Sequence, residues 1–226
     1  MMSEAPTPDE EPVSRRMHNL GWAGAFLLFV LAVTMGYSVW RGSERREASS
    51  LPVLRAVPDF TLTDQSGATV TRESLRGQIW ITDFIFTRCK GPCPLMTARM
   101  LEMQKALAKT PDVKLVSVTV DPDHDTPEVL KDYAEASHAD SARWKFLTGD
   151  PEVIRKLVTQ GFMQHLDEEN GEPVHGTMFL VVDGNGMVRS ARMLEDPELI
   201  PKILMDTGNL LREQRAGSTP KGPTDN

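Results

Sequence analysis

The sequence predicts an α/β sandwich with a mixed central sheet, preceded by one transmembrane helix. Three observations carry that reading. Two nearly continuous β-branched and aromatic runs, Ile79 to Phe86 and Val113 to Val120, suit strands buried on both faces. Helix-period segments follow each of them. A turn-centred hairpin pattern stands at either end of the domain.

The chain has 226 residues and 40% hydrophobic content, and once a tail is set aside at each end about 160 residues remain for one core. A formal net charge of −7 argues against a phosphate-binding face, so no nucleic-acid partner is expected. The two cysteines are too few for a disulfide-stapled scaffold, which points their close spacing toward chemistry.

Residues 1–19 are expected to be disordered, because their Pro, Glu, Asp and Ser offer little to bury. From Leu20 to Trp40 no charge occurs, and the length matches the roughly 20 residues that cross a bilayer core. Trp22, Tyr37 and Trp40 at its ends fit an aromatic belt. An uncleaved anchor at 20–40 is therefore expected, followed by a polar tether over 41–56.

The domain is expected over 57–213. Phe60 and Leu62, the turn Asp64 to Gly67, and Thr69 to Thr71 read as a hairpin. Pro94 to Ala108 has helical spacing, and Thr126-Pro127-Glu128 starts a second helix with a Thr cap and Pro in the first turn. Met178 to Val182, Asp183 to Gly186 and Met187 to Ala191 form a second hairpin. Residues 196–213 close with an amphipathic helix, and 214–226 are a polar tail expected to be disordered.

Cys89 and Cys93 fall where a central strand ends and the next helix begins, an edge that open α/β sheets favour for sites. On a helix-like arc, residues i and i+4 lie about 5–6 Å apart at Cβ, which allows metal chelation or, with local adjustment, a disulfide. The helix N-terminus and the flanking Arg88 and Lys90 are expected to favour thiolate. Two thiols are too few for structural zinc, whereas soft Cu(I) accepts low coordination and would need only an imidazole besides. His18 belongs to the membrane flank, and His138 and His165 sit among polar residues. His124 lies in a loop after a strand, and His175 is expected in a loop, preceding Gly176-Thr177 and the strand Met178 to Val182.

Pro58-Asp59-Phe60, Phe86-Thr87, Cys89-x-x-x-Cys93-Pro94, Val118 to Pro122, Asp125 to Glu128 and Val174-His175 occur in this order. Together they resemble the SCO/SenC family of copper-binding, membrane-tethered proteins with a thioredoxin-like fold. The resemblance covers about residues 55–210. It implies that Cys89, Cys93 and His175 bind copper, as Cu(I) with Cu(II) as the alternative oxidation state. It further implies supply of that copper to the dinuclear copper centre on the copper-binding subunit of cytochrome c oxidase. A copper donor chaperone and a thiol reductant would be the other partners. The implied location is the bacterial inner membrane, single-pass, with the C-terminal domain facing the periplasm.

This chain departs from the usual family pattern at Lys90-Gly91-Pro92 and at Gly176. A thiol–disulfide reductase is the rival reading of the pair, although such enzymes resemble one another in a Cys-x-x-Cys spacing. A purely structural disulfide across so short a loop would remove little unfolded-state entropy. A peroxiredoxin-type peroxidase needs Pro where Thr82 stands. Asp121 and Asp125 are candidates for orienting His175 or shaping a partner surface. Met96, Met100 and Met103 could be thioether ligands, but a core-facing stripe is the expectation.

Overall fold

The computed structural model describes residues 26–37, 51–169 and 172–217, and over 167–169 and 172–175 it describes the backbone only. The chain divides into two units, Met1–Ser49 and Ser50–Asn226. In the first, residues 26–37 form helix α1. The ends of the expected anchor, 20–25 and 38–40, lie outside the described residues, as do the acidic segment 1–19 and residues 218–226 of the tail. Among the described residues no helix is long and apolar enough to cross a membrane.

The second unit runs β1 (Arg55–Ala56), β2 (Thr61–Asp64), β3 (Thr69–Thr71), β4 (Ile79–Ile85), α2 (Cys93–Ala106), β5 (Val113–Thr119), α3 (Pro127–Ala136), β6 (Trp144–Thr148) and α4 (Pro151–Lys156). It continues through β7 (Leu166–Glu169), β8 (Glu172–His175), β9 (Met178–Val182), β10 (Met187–Met193) and α5 (Leu199–Arg215). Eight strands form one sheet in the order β1-β10-β9-β4-β5-β6-β2-β3, and β7 pairs with β8 apart from it. β4, β5 and β6 are parallel and the remaining pairings antiparallel, so the sheet is mixed, as expected.

The two expected hairpins form through the same device. Asp64 Oδ1 accepts the backbone N–H groups of Ser66 and Ala68, and Asp183 Oδ1 those of Asn185 and Met187. Gly67 and Gly186 take the left-handed turn positions, with φ of 84° and 77°.

Every residue of β4 is buried, which its lack of polar alternation announced. On one face Trp80 and Phe84 meet the ring of Phe162 edge-on at 5.9 and 5.4 Å. Strand alternation turns Asp83 to the other face, where it stands in register with Ser117 of β5. Thr126 caps α3 by accepting from the Val129 N–H, with Pro127 at its first position.

The structure adds elements to the expected set. Residues 51–56, expected in the tether, already belong to the sheet unit: β1 pairs with β10, and the Leu51 carbonyl accepts from the buried Arg189 guanidinium at 2.5 Å. β6 escapes notice because Lys145 interrupts it, yet Trp144 and Phe146 are fully buried and Lys145 reaches Asp64 at 2.8 Å. Asp150 caps α4 ahead of Pro151, repeating the Thr126-Pro127 signal one element later.

Candidate functional site

Because β4 and β5 are parallel and in register to Ile85↔Thr119, they end side by side. The loops that follow, 86–92 and 120–126, therefore leave one sheet edge together, and the Val120 N–H still donates to the Ile85 carbonyl. β9 runs antiparallel to β4, so its start, and residues 175–177 before it, lie toward that edge as well.

Cys89 closes a turn on the Phe86 carbonyl, is partly exposed, and accepts a contact from the Gly91 N–H at 3.4 Å. Cys93 opens α2 and is only 1% exposed. Neither is in a disulfide, and their side chains share a hydrogen bond. The site thus pairs an outer thiol with an inner one.

That geometry corrects one expectation. Burial, and after it the hydrogen bond with Cys89, push the Cys93 thiol above its ordinary range rather than toward thiolate. Desolvation of a buried sulfur outweighs the helix N-terminus. Arg88, expected to add positive charge to the pair, is instead engaged by Asp121 at 2.6 Å.

Asp121 and Asp125 act on the residues immediately before Cys89. Asp125, fully buried, accepts from the Thr87 N–H at 3.0 Å, the Thr87 hydroxyl at 2.6 Å and the Thr119 hydroxyl at 2.5 Å. His124 Nδ1 lies 3.0 Å from the same carboxylate. Asp121 holds Arg88, and its own N–H is held by Thr119. Asp121, His124 and Asp125 could each offer a ligand atom within 4.8 Å of the others, but their oxygens already serve as a clamp on the cysteine loop. The clamp is invisible in sequence because Thr87, Thr119 and Asp125 meet only through the parallel pairing of β4 and β5.

His175 ends β8, paired with Leu166, where a loop was expected; its side chain lies outside the described atoms. A Cβ at Gly176 would stand 2.6 Å from the amide oxygen of buried Gln164, so the end of that side chain would have to shift to admit a larger residue. Met96, Met100 and Met103 are fully buried, as a core stripe requires. Leucine at any one of them is expected to leave copper stoichiometry unchanged and to cost less than about 1.5 kcal/mol, checked by copper titration and urea unfolding.

A residue missed in the sequence lies within β4. Asp83 is fully buried, accepts the Ser117 hydroxyl at 2.6 Å, and Ser117 in turn accepts the Trp144 indole N–H at 2.9 Å. An aspartate inside the otherwise apolar run Ile-Trp-Ile-Thr-Asp-Phe-Ile was the available signal.

The SCO1/SenC family model matches residues 49–207. The chain belongs to the SCO1/SenC family. Over 141 residues, 61% of this chain and 73% of the relative, it is 38% identical to a SCO1 protein homolog of Bacillus subtilis. The structure of BsSco, described as a member of the Sco family of cytochrome c oxidase assembly proteins with a disulfide switch, superposes with a TM-score of 0.65 at 33% identity. That match covers 71% of this chain and 97% of BsSco. Copper-bound ScoI of Bradyrhizobium japonicum superposes with a TM-score of 0.57 at 26% identity, covering 70% of this chain and 98% of that one. The mixed sheet and its helices are therefore the thioredoxin-like fold of SCO1/SenC structures.

Proposed function

We propose that this SCO1/SenC chain is a copper metallochaperone for cytochrome c oxidase assembly. Reduced Cys89 and Cys93, with the imidazole of His175, would hold one Cu(I) and pass it to the dinuclear copper centre on the oxidase's copper-binding subunit. The observation that carries this reading is the pair itself: two thiols not joined in a disulfide and in mutual contact, one of them reaching solvent, beside a loop held by the Asp121 and Asp125 clamp. Copper bound to the Bradyrhizobium relative supports it. Two thiolates suit a soft monovalent ion, and the exposure of Cys89 permits incoming cysteines to replace the ligands one at a time.

We further propose that residues 20–40 anchor the chain in the inner membrane as a single pass, with the domain in the periplasm. A copper donor would load the site there, and a thiol reductant would keep the pair open in an oxidising compartment.

The inner and outer placement of the thiols favours a second reading, in which the pair reduces a disulfide on its target. Cys89 would attack and Cys93 would resolve. His175→Ala separates the two: copper binding is expected to fall by about 10-fold or more while disulfide reduction survives. Copper binding unchanged in His175→Ala would remove His175 from the ligand set.

A further inference from the structure

The methionines that follow Cys93 are fully buried, but another pair of thioethers is not. Met178 opens β9 and Met193 closes β10, and the two stand directly opposite each other in the antiparallel register. The Leu194 N–H donates to the Thr177 carbonyl at 2.8 Å, which makes Thr177 and Leu194 a hydrogen-bonded pair. Met178 and Met193 are therefore the adjacent pair without ladder bonds, the kind in which Cα atoms approach to about 4.5 Å and side chains lie closer together. Both side chains leave the same face of the sheet.

That face is open beside them. Met193 is 50% exposed, and Met178 is half-buried where it rests on the core. Ala191, the next residue of β10 on this face, is exposed and too short to cover the pair. Arg192 between them is turned to the other face, where it holds Asp206 of α5 at 2.8 Å. Directly opposed Cβ atoms lie about 5 Å apart, and methionine has three rotatable bonds, so both sulfurs can reach one ion.

We propose that Met178 and Met193 form a second, thioether site for Cu(I). It goes beyond the cysteine site and does not depend on it. Thioethers are soft donors that suit Cu(I), which accepts low coordination, and they offer little to hard cations. They have no proton to lose and form no disulfide, so this pair keeps its donors when Cys89 and Cys93 are oxidised. Being neutral, it holds the ion more weakly than two thiolates would, so its copper exchanges readily and is lost on desalting. Three residue steps separate His175 from Met178, which puts their Cα atoms no more than about 11 Å apart. The pair therefore offers copper a resting place toward the sheet edge from which the cysteine loop leaves.

The test uses the full chain carrying Cys89→Ser and Cys93→Ser, so that no thiolate competes. Its methionine methyl groups are labelled with 13C, and Cu(I) is added anaerobically in acetonitrile. The Met178 and Met193 methyl resonances are expected to shift together and to saturate at one equivalent. That of Met205, 57% exposed on α5, is expected to stay in place. Met193→Leu keeps the apolar contact across the strands and should abolish the saturable shift at Met178, with the urea midpoint unchanged. Met178→Leu makes the same test from the other strand and keeps it open if one variant does not fold. Unshifted Met178 and Met193 methyls, equal shifts at Met205, or saturable binding that survives either substitution overturns the site. None of these outcomes bears on the cysteine site, which the reduced wild-type chain tests separately.

Discussion

Replacing Cys93 by serine is expected to lower Cu(I) affinity by more than about 100-fold, measured by competition against a Cu(I) chelator. A serine hydroxyl is hard, neutral at physiological pH and a poor ligand for a soft ion. The fold should tolerate the change, because the hydroxyl replaces a similarly sized sulfur at the head of α2 and can keep the hydrogen bond to Cys89. Cys89→Ser is expected to weaken copper to a similar degree but to differ in disulfide reactivity. With Cys93 alone, the remaining thiol is buried and should react slowly with external disulfides; with Cys89 alone, the thiol reaches solvent and should stop at a stable mixed disulfide.

The second large effect is expected at Asp125. In Asp125→Asn one acceptor oxygen becomes an NH2 group facing donors that remain in place: the Thr87 N–H and hydroxyl and the Thr119 hydroxyl. Leaving buried donors unmatched costs roughly 2–4 kcal/mol, to be read as a shift in urea midpoint. Because Thr87 stands two residues before Cys89, the loosened loop should also weaken copper by about 10-fold. A destabilised variant with unchanged affinity would reduce the clamp to a structural feature.

The parts of this protein legible in sequence were those governed by local rules. β4 and β5 were readable as unbroken apolar runs, the two hairpins from Asp and Gly at fixed turn positions, and α3 from Thr126-Pro127. The cysteine pair was legible because two thiols on four-residue spacing have few structural uses. What sequence hid depends on strands meeting in space. The Asp125 clamp joins residues 38 apart through a parallel register, and no local pattern records it. Likewise, the helix start at Cys93 suggested a thiolate, while the packing that buries its sulfur reverses the sign. β6 was missed because Lys145 breaks its apolar run, although Trp144 and Phe146 keep the alternation. Asp83 was visible as an anomaly, a charge inside a buried strand, but its partners Ser117 and Trp144 come from two other strands.

The central claim is that Cys89 and Cys93 hold copper as a reduced pair. Copper stoichiometry of the unit from residue 50 to 226, measured anaerobically with the pair reduced and again after oxidation to the disulfide, tests it most directly. One Cu(I) per reduced chain and none per oxidised chain is the predicted result. No copper on the reduced chain, or equal loading in both states, would contradict it.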